Sequence, residues 1–490
     1  MGSTATPSRT AIVLGGGVSG LLAARELAAA GHAVTVLEAT AAWGGCVGSH
    51  VVAGLTLDSG AESFATRSTA VADLAAELGL AGRIVAPRPG GAWVQLPDGP
   101  RELPKTGVLG IPANPWDPEV RRSLGLAGSL RASLDKYLPA RVGASAEVTS
   151  VSALVRARMG RRVLERLVAP VVGGVHSADP GLLDVDMVAP GLRAGIRAHG
   201  SLAAAVAAQR RSVGGSAAKA GSAVAGLENG MHTLVAALVD DLRVRGVALR
   251  SGAAASAVER TADGWRVTTG EGTYDGGLLV VALPGPAAVG LLEDAVPALA
   301  GRSPGHGPDV RLVTLVVDVP ELDRRPRGTG VLVAPQTPGI EAKALTHATA
   351  KWDWLAAAAG PGTHVLRLSY GRLEAADAAH PAAAGGDGSP VSRPGDATPV
   401  ADRDLLAAAL RDASALLEVP VQDKDVVGWD VVRWQGALPF AAVGHKARVA
   451  EIRTICSAEE GLRIVGGWVA GNGLAAVVFD TRKEIRALLG

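Results

Sequence analysis

Three glycines near the start of the chain have the spacing of a dinucleotide-binding turn. Gly15, Gly17 and Gly20 fit the pattern G-x-G-x-x-G. The first glycine allows a tight turn, the second lets a pyrophosphate approach the backbone, and the third lets a helix pack closely on a sheet. Glu38 lies 18 residues after Gly20, where a carboxylate can accept hydrogen bonds from both hydroxyls of a ribose. Because a glutamate there disfavours a 2′-phosphate, the pattern predicts FAD or NAD rather than NADP.

The elements that must position these residues can be predicted on both sides of the turn. Residues 11–14 are an apolar run that predicts a buried strand, and residues 33–37 predict a second strand ending at Glu38. Between them, apolar residues recur at helical spacing until Gly31, so a helix begins at the glycine turn. The positive end of that helix would face the phosphates. The pattern therefore predicts a complete strand-helix-strand unit.

Two further glycine segments favour FAD over NAD. Gly44 and Gly45 follow soon after Glu38, where flavin enzymes carry a second glycine pair close to the cofactor. Near the other end of the chain, residues 462–465 predict a strand that leads through more glycines to a helix starting near Leu474. Glycine segments this far apart around one dinucleotide are typical of FAD binding, and the second helix would point another positive end at the cofactor.

Composition excludes several classes of protein. The 490 residues include 48 Lys and Arg against 47 Asp and Glu, so there is no basic footprint for nucleic acid. Two cysteines, Cys46 and Cys456, cannot form a disulfide framework or a cysteine-rich metal site. No apolar run reaches the roughly 18 residues of a membrane span, and no signal peptide is expected. The composition predicts a cytoplasmic protein with the bias of a high-GC bacterial genome.

Four longer segments resemble one flavoenzyme family. They are residues 57–64 with Arg67 (LDSGAESF), 164–180 (LERLVAPVVGGVHSADP), 283–286 (LPGP), and 433–440 (RWQGALPF) followed by Gly444 and His445. In this order they resemble the oxygen-dependent porphyrinogen oxidases, which include protoporphyrinogen oxidase and the coproporphyrinogen III oxidase of Gram-positive bacteria. The resemblance runs nearly from end to end.

The resemblance implies a fold and a set of cofactor contacts. The expected fold class is α/β (α+β overall), with a Rossmann-type FAD-binding domain, a mixed-sheet substrate domain and a helical insertion. The expected FAD contacts are spread over the whole chain. They are Gly15, Gly16, Gly17, Val18, Ser19, Gly20, Glu38, Ala39, Gly45, Cys46, Gly60, Ala61, Glu62, Ser63, Val258, Trp434, Asn472, Gly473 and Leu474. Ala42 and Cys46 stand where the family usually has basic residues, so the pyrophosphate loses positive charge there.

The predicted domain boundaries follow from these segments. Residues 1–95, 226–300 and 441–490 are expected to form the FAD-binding domain, and residues 96–105, 171–225 and 301–440 the substrate domain. Residues 106–170 are expected to be helical, and residues 375–400 to be a mobile loop. The arginine-rich helical region could rest on an anionic membrane surface or form a solvated cap over the substrate pocket, and both interpretations stay open.

The expected reaction is the six-electron oxidation of coproporphyrinogen III to coproporphyrin III with oxygen, which yields three hydrogen peroxides. The propionates of the substrate would need cations. Arg67 is the first candidate to bind them, and Arg433 and Lys446 are weaker candidates. No catalytic base is assigned; His176 and His445 are weak candidates, each better explained as structural. The alternatives left open are a protoporphyrinogen IX oxidase, another flavin amine oxidase or desaturase, and a non-catalytic FAD- or porphyrin-binding module. Docking of a partner enzyme of haem synthesis and the oligomeric state are also open.

Overall fold

The computed structural model describes residues 9–105, 107–145, 148–212, 224–372, 400–436, 442–471 and 473–490. The strands in these ranges are β1 Thr10–Leu14, β2 Ala33–Glu38, β3 Ser49–Val52, β4 Leu55–Asp58, β5 Phe64–Ala65, β6 Ile84–Val85, β7 Ala92–Leu96, β8 Gly99–Glu102, β9 Gly107–Val108, β10 Ile111–Pro112, β11 Val224–Leu227, β12 Ala248–Ser251, β13 Ala255–Thr261, β14 Gly264–Thr269, β15 Gly272–Gly276, β16 Leu278–Val281, β17 Val310–Asp318, β18 Gly330–Val333, β19 Ala344–His347, β20 Thr363–Tyr370, β21 Val426–Trp434 and β22 Leu462–Ile464.

The helices in the same ranges are α1 Val18–Ala29, α2 Ala70–Glu77, α3 Pro118–Ser133, α4 Arg141–Ala144, α5 Val151–Met159, α6 Arg161–Val163, α7 Ala169–His176, α8 Val185–Val188, α9 Leu192–His199, α10 Leu202–Ser212, α11 His232–Val244, α12 Gly285–Leu292, α13 Ala348–Lys351, α14 Asp353–Ala359, α15 Val400–Leu417, α16 His445–Ala458, α17 Gly467–Ala470 and α18 Leu474–Leu489. None of the helices in these ranges is long and apolar enough to cross a membrane. The predicted mobile loop, apart from Val400 at the start of α15, lies outside the described residues.

A parallel sheet of five strands supports the glycine turns. Its strand order is β12-β2-β1-β16-β22. Helices α1, α11 and α18 cover one face, and α12, α16 and the strands β13–β15 cover the other. Both faces are buried, which explains why β1 is apolar without alternation. Because parallel strands end at the same edge of a sheet, the turns after β1, β2 and β22 lie along one edge, with β16 between β1 and β22.

A second sheet lies beyond the cofactor-binding segments. It has the order β21-β17-β20-β19-β18-β7-β8. Among the described strands of this sheet, β7 and β18 pair in parallel and the other neighbours pair antiparallel. Helix α15 packs on one face, where Val313 and Val431 are buried. The opposite face carries Leu312, Val432 and Trp434, and packs further along against the β3–β4 hairpin. Strand β7 runs from Ala92 to Leu96 and belongs to this sheet, although the FAD-binding domain is predicted to include residues up to 95. The domain boundaries stay a prediction.

Helices α3 to α10 form a unit with its own hydrophobic core, which runs from Ile111 to Val206. The core continues across the boundary predicted at residue 170. At its centre the fully buried Arg158 pairs with the buried carboxylate of Asp135, which also accepts the N–H groups of Leu202 and Ala203 at the start of α10. The remaining guanidinium donors bond to backbone carbonyls, including that of Val142 at 2.7 Å. One ion pair thus joins three separate segments of the helical unit.

We predict that Asp135→Ala lowers the free energy of unfolding by about 3–5 kcal/mol, because it leaves the Arg158 charge buried without a partner. The midpoint of urea unfolding, followed by circular dichroism, measures this. Asp240→Ala is the control: it removes an exposed ion pair with Arg243 at 3.0 Å and should change the value by no more than about 0.5 kcal/mol. Equal effects of the two substitutions would contradict the prediction.

Candidate functional site

The turn after β1 depends on glycine for steric reasons. Gly15 has a φ of 101°, and a Cβ there would lie 2.7 Å from the carbonyl oxygen of Ala282. A Cβ on Gly20 would clash with the carbonyl oxygen of Gly15. Helix α1 starts at Gly17 without a side-chain cap, and the side chains of Val18 and Ser19 are buried. The turn therefore presents backbone N–H groups rather than side chains, as a pyrophosphate requires.

Glu38 is anchored at the end of β2 by three donors. Its carboxylate accepts the N–H of Gly16 at 2.7 Å, the N–H of Thr40 at 2.8 Å and the hydroxyl of Thr40 at 2.7 Å. These bonds hold the carboxylate directly beside the glycine turn, in a position suited to a ribose. Thr40 was missed at the sequence level, because a lone threonine in a loop carries no signal of its own. Ala39 is exposed next to it.

The second glycine pair lies directly on the first. The N–H of Gly44 donates to the carbonyl of Gly16 at 2.8 Å, and Gly17 and Gly44 form an isolated bridge. Gly45 lies so close that a Cβ on it would be 3.4 Å from the Cα of Gly17. Cys46 follows and is exposed. The backbone from the Gly15–Gly20 turn through Gly44, Gly45 and Cys46 to the Gly60–Ser63 turn is hereafter called the cradle.

The turn from Gly60 to Ser63 lies next to the segment that contains Cys46. The N–H of Ala61 donates to the carbonyl of Cys46 at 2.9 Å, and a Cβ on Gly60 would clash with that carbonyl. Trp434, at the end of β21, donates its indole N–H to the carbonyl of Ser59 at 3.0 Å. The predicted contacts from Gly15 to Ser63 and Trp434 therefore form one continuous chain of neighbours. Glu38 stands at one end and Trp434 at the other.

Besides Trp434, four of the predicted contacts belong to later parts of the chain. Val258 is buried in β13 and packs in the core that covers Leu14 and Leu37. Gly473, with a φ of 102°, precedes α18, which also begins without a side-chain cap. Leu474 packs into the same core as Val18, and α18 packs against α1. The remaining predicted contact here, Asn472, lies outside the described residues.

The three predicted substrate cations differ in their surroundings. Arg433 forms an ion pair with Asp402 of α15, on the opposite face of β21 from Trp434, because successive side chains of a strand alternate. Burial, and then the charge of Arg311, lower the pKa of Arg433. Arg67 is exposed just after β5, and Lys446 is exposed in the first turn of α16. The structure thus turns Arg433 away from the face that carries Trp434.

Burial shifts both candidate histidines toward their neutral forms. Burial lowers the pKa of His176 to about 4. Burial also lowers the pKa of His445, and its ring N–H at Nε2 donates to the carbonyl of Trp468 at 2.8 Å. That bond connects α16 to α17, which is a structural role. In the described residues, no group of three or more His, Cys, Asp or Glu side chains is arranged to hold a metal ion.

Two cations beside Glu62 were missed at the sequence level. Lys351 pairs with one carboxylate oxygen of Glu62, and a guanidinium nitrogen of Arg367 lies 3.4 Å from the other. Arg367 also donates to the carbonyl of Gly60 at 2.7 Å. Burial raises the pKa of the Glu62 carboxyl, but the charges of Lys351 and Arg367 outweigh it, so the pKa lies below its usual value. No local pattern marks either cation, because each meets Glu62 only through the second sheet.

These residues fit a bound flavin dinucleotide. Two uncapped helices begin at one sheet edge, a carboxylate stands at the ribose position, and backbone glycines line the path between them. At Gly17 a Cβ would meet no atom of the described protein within 4 Å, so the turn opens into free space at the position expected for the pyrophosphate. Glu38 would hold the ribose, and the backbone of the Gly15–Gly20 turn the phosphates.

Comparison with known proteins gives matches along the whole chain. The sequence profile described as flavin containing amine oxidoreductase matches residues 18–477. A coproporphyrinogen III oxidase of Mycobacterium leprae is 29% identical over 98% of both chains, and one of Bacillus subtilis is 26% identical over 94% of both. The crystal structure of a provisionally named protoporphyrinogen oxidase from Exiguobacterium superposes with a TM-score of 0.77 at 23% identity, covering 99% of each chain.

These matches confirm the predicted family resemblance, the fold class and the cofactor, FAD. The individual FAD contacts and substrate residues stay predictions, which the geometry above makes specific enough to test.

We predict that Gly17→Ala weakens FAD binding at least tenfold without unfolding the protein. Gly17 has a φ of −71°, which alanine adopts freely, and its Cβ would occupy the open space proposed for the pyrophosphate. Titration of the apoprotein with FAD, followed by flavin fluorescence, measures the affinity. Gly290→Ala in α12, whose Cβ also meets nothing within 4 Å, should leave it unchanged. Unaltered affinity in Gly17→Ala would place the pyrophosphate elsewhere.

Proposed function

The chain belongs to the flavin-containing amine oxidoreductase family, and on this premise we propose that it oxidises coproporphyrinogen III to coproporphyrin III. Oxygen is the proposed electron acceptor and haem biosynthesis the proposed setting. The observation that carries the proposal is the extent of the similarity. Relatives with this name align over nearly the entire chain, so the second sheet and the helical unit are included as well as the cofactor-binding segments.

The proposed reaction balances without an added co-reactant other than oxygen. Bound FAD supplies a two-electron acceptor that can return its electrons to oxygen. The macrocycle loses six hydrogens, so three rounds consume three oxygen molecules and release three hydrogen peroxides. The protein has to orient a bulky substrate and exclude water, and no acid–base pair is assigned. His176 and His445 stay weak candidates for handling a proton, and the proposal assigns a role to neither.

An apolar strand face supports binding of a bulky macrocycle. Val310, Leu312 and Val432 form a cluster with Trp434 on the face of the second sheet turned toward Gly60. Such a surface is suited to the apolar pyrrole rings of the macrocycle, and the propionates would extend from it toward cations at the rim. Of the three predicted cations, Arg67 is the one nearest the Gly60–Ser63 turn in sequence, because only β5 and Thr66 separate them. We assign it the leading role in propionate binding.

We predict that the purified protein with FAD converts coproporphyrinogen III in air, with rising porphyrin fluorescence, faster than it converts protoporphyrinogen IX. Arg67→Ala should raise KM for coproporphyrinogen III about tenfold, which corresponds to one charge-assisted hydrogen bond. Arg243→Ala, which alters an exposed arginine of α11, is the matched control. Turnover of protoporphyrinogen IX alone would refute the substrate assignment, and flavin reduction by amines alone would move the protein to another branch of the family.

We further propose that the helical unit contacts an anionic membrane surface. Four apolar or aromatic side chains are exposed at helical spacing along α3 and the turn after it. They are Leu126, Leu130, Leu134 and Tyr137, which are 68%, 60%, 46% and 73% exposed. Lys136, whose ammonium lies 4.6 Å from the ring centroid of Tyr137, and the exposed Arg122 add positive charge. Apolar side chains flanked by cations are the pattern of an interfacial helix.

We predict that the protein sediments with vesicles containing phosphatidylglycerol but not with vesicles of phosphatidylcholine alone. Leu126→Glu combined with Leu130→Glu should weaken this binding about tenfold or more, because two carboxylates replace apolar contacts at an anionic surface. Val244→Glu is the control, since Val244 is 88% exposed on α11, outside this stripe. Equal binding by both variants, or no binding by the unmodified protein, would leave the solvated cap as the explanation.

A further inference from the structure

Glu62, Lys351 and Arg367, hereafter the cationic cluster, carry two positive charges against one negative charge. Lys351 lies at the end of α13 and Arg367 in β20, so both cations come from the part of the chain that forms the second sheet. The three side chains are 18%, 14% and 12% exposed. Among the described residues no other carboxylate pairs with either cation. The nearby Arg88, which bonds to the carbonyl of Lys351, is itself paired with Asp353. The cationic cluster therefore has a net charge of +1, and its side chains are largely shielded from water.

The cluster lies at one end of the cradle. The chain of contacts starts at Glu38, passes from Gly16 to Gly44, and continues through Cys46 to the Gly60 turn. Arg367 donates directly to the carbonyl of Gly60. With the ribose at Glu38 and the pyrophosphate at Gly17, a dinucleotide lying along this path has its redox-active ring at the Gly60 end. The net charge of the cluster is thus next to the ring and far from the ribose.

We propose that the cationic cluster raises the reduction potential of the bound flavin by placing net positive charge at its ring. Reduction of the ring at neutral pH adds negative charge, and a nearby unscreened cation stabilises that charge. Burial of the cluster keeps this interaction from being screened by water and salt. Lys351 and Arg367 then favour electron withdrawal from the substrate without touching it. The inference rests on the flavin placement used for the proposed function.

A purely structural role makes a different prediction. Lys351 and Arg367 also tie the second sheet to the Gly60 turn, so any substitution in the cluster could loosen the cofactor. Loss of a structural tie lowers FAD affinity whichever charge is removed. An electrostatic role instead makes the sign of the effect follow the sign of the charge removed. Substitutions of opposite charge within the same cluster therefore separate the two roles.

The test measures the two-electron potential of bound FAD by dye equilibration, together with the affinity of the oxidised flavin for sulfite, which also adds negative charge to the ring. Lys351→Met, which leaves the cluster neutral, should lower the potential and weaken sulfite binding about tenfold. Glu62→Gln, which leaves two cations, should shift both in the opposite direction. Lys351→Arg and the double variant Lys351→Met with Glu62→Gln keep the net charge at +1 and should lie near the unmodified protein.

Shifts in the same direction for Lys351→Met and Glu62→Gln, or no shift in either while FAD stays bound, would overturn the inference. If Glu62→Gln fails to fold, Lys351→Met against Lys351→Arg still decides, because only the first changes the charge. The measurements need no porphyrinogen. A failure of the proposed substrate therefore leaves them interpretable, whereas failure to bind FAD at all would refute the flavin placement itself.

Discussion

Close approach of backbone to backbone is the constraint on which the site depends. Gly20 can lie against the carbonyl of Gly15 only because it has no Cβ, and Gly60 lies against the carbonyl of Cys46 for the same reason. These two contacts bring α1 onto β1 and bring the Gly60 turn onto the segment after Glu38. A methyl group at either position would push apart elements that must touch the same cofactor. The glycines thus set the shape of the cradle before any side chain contributes to it.

Polar contacts then attach the rest of the molecule to this cradle. Trp434 bonds to the carbonyl of Ser59, and Arg367 bonds to that of Gly60, so the second sheet is held to backbone atoms of the cofactor-binding turn. The helical unit has a separate anchor in the buried pair of Asp135 and Arg158. The second sheet and the helical unit are therefore each held by specific polar contacts.

The distribution of charge along the cradle is uneven. Ala42 and Cys46 leave the region near the pyrophosphate without the basic residues that the family usually has there, so backbone N–H groups and the ends of α1 and α18 must supply the attraction for phosphate. At the other end, Lys351 and Arg367 exceed Glu62 by one positive charge. In the proposed arrangement, positive charge is concentrated where electrons arrive rather than where the phosphates bind.

The sequence by itself determined the strand-helix-strand unit, the glycine turns and the family. These depend on local spacing, and the predicted strands at 11–14 and 33–37 appear as Thr10–Leu14 and Ala33–Glu38. The tertiary structure alone decided which distant residues meet. Lys351 and Arg367 join the site through folding, whereas the strand alternation of β21 turns Arg433 toward Asp402 while Trp434 faces Gly60. Local spacing specifies a turn because its contacts lie within a few residues. It cannot specify partners that are almost three hundred residues apart, since these are set by the register and packing of a whole sheet.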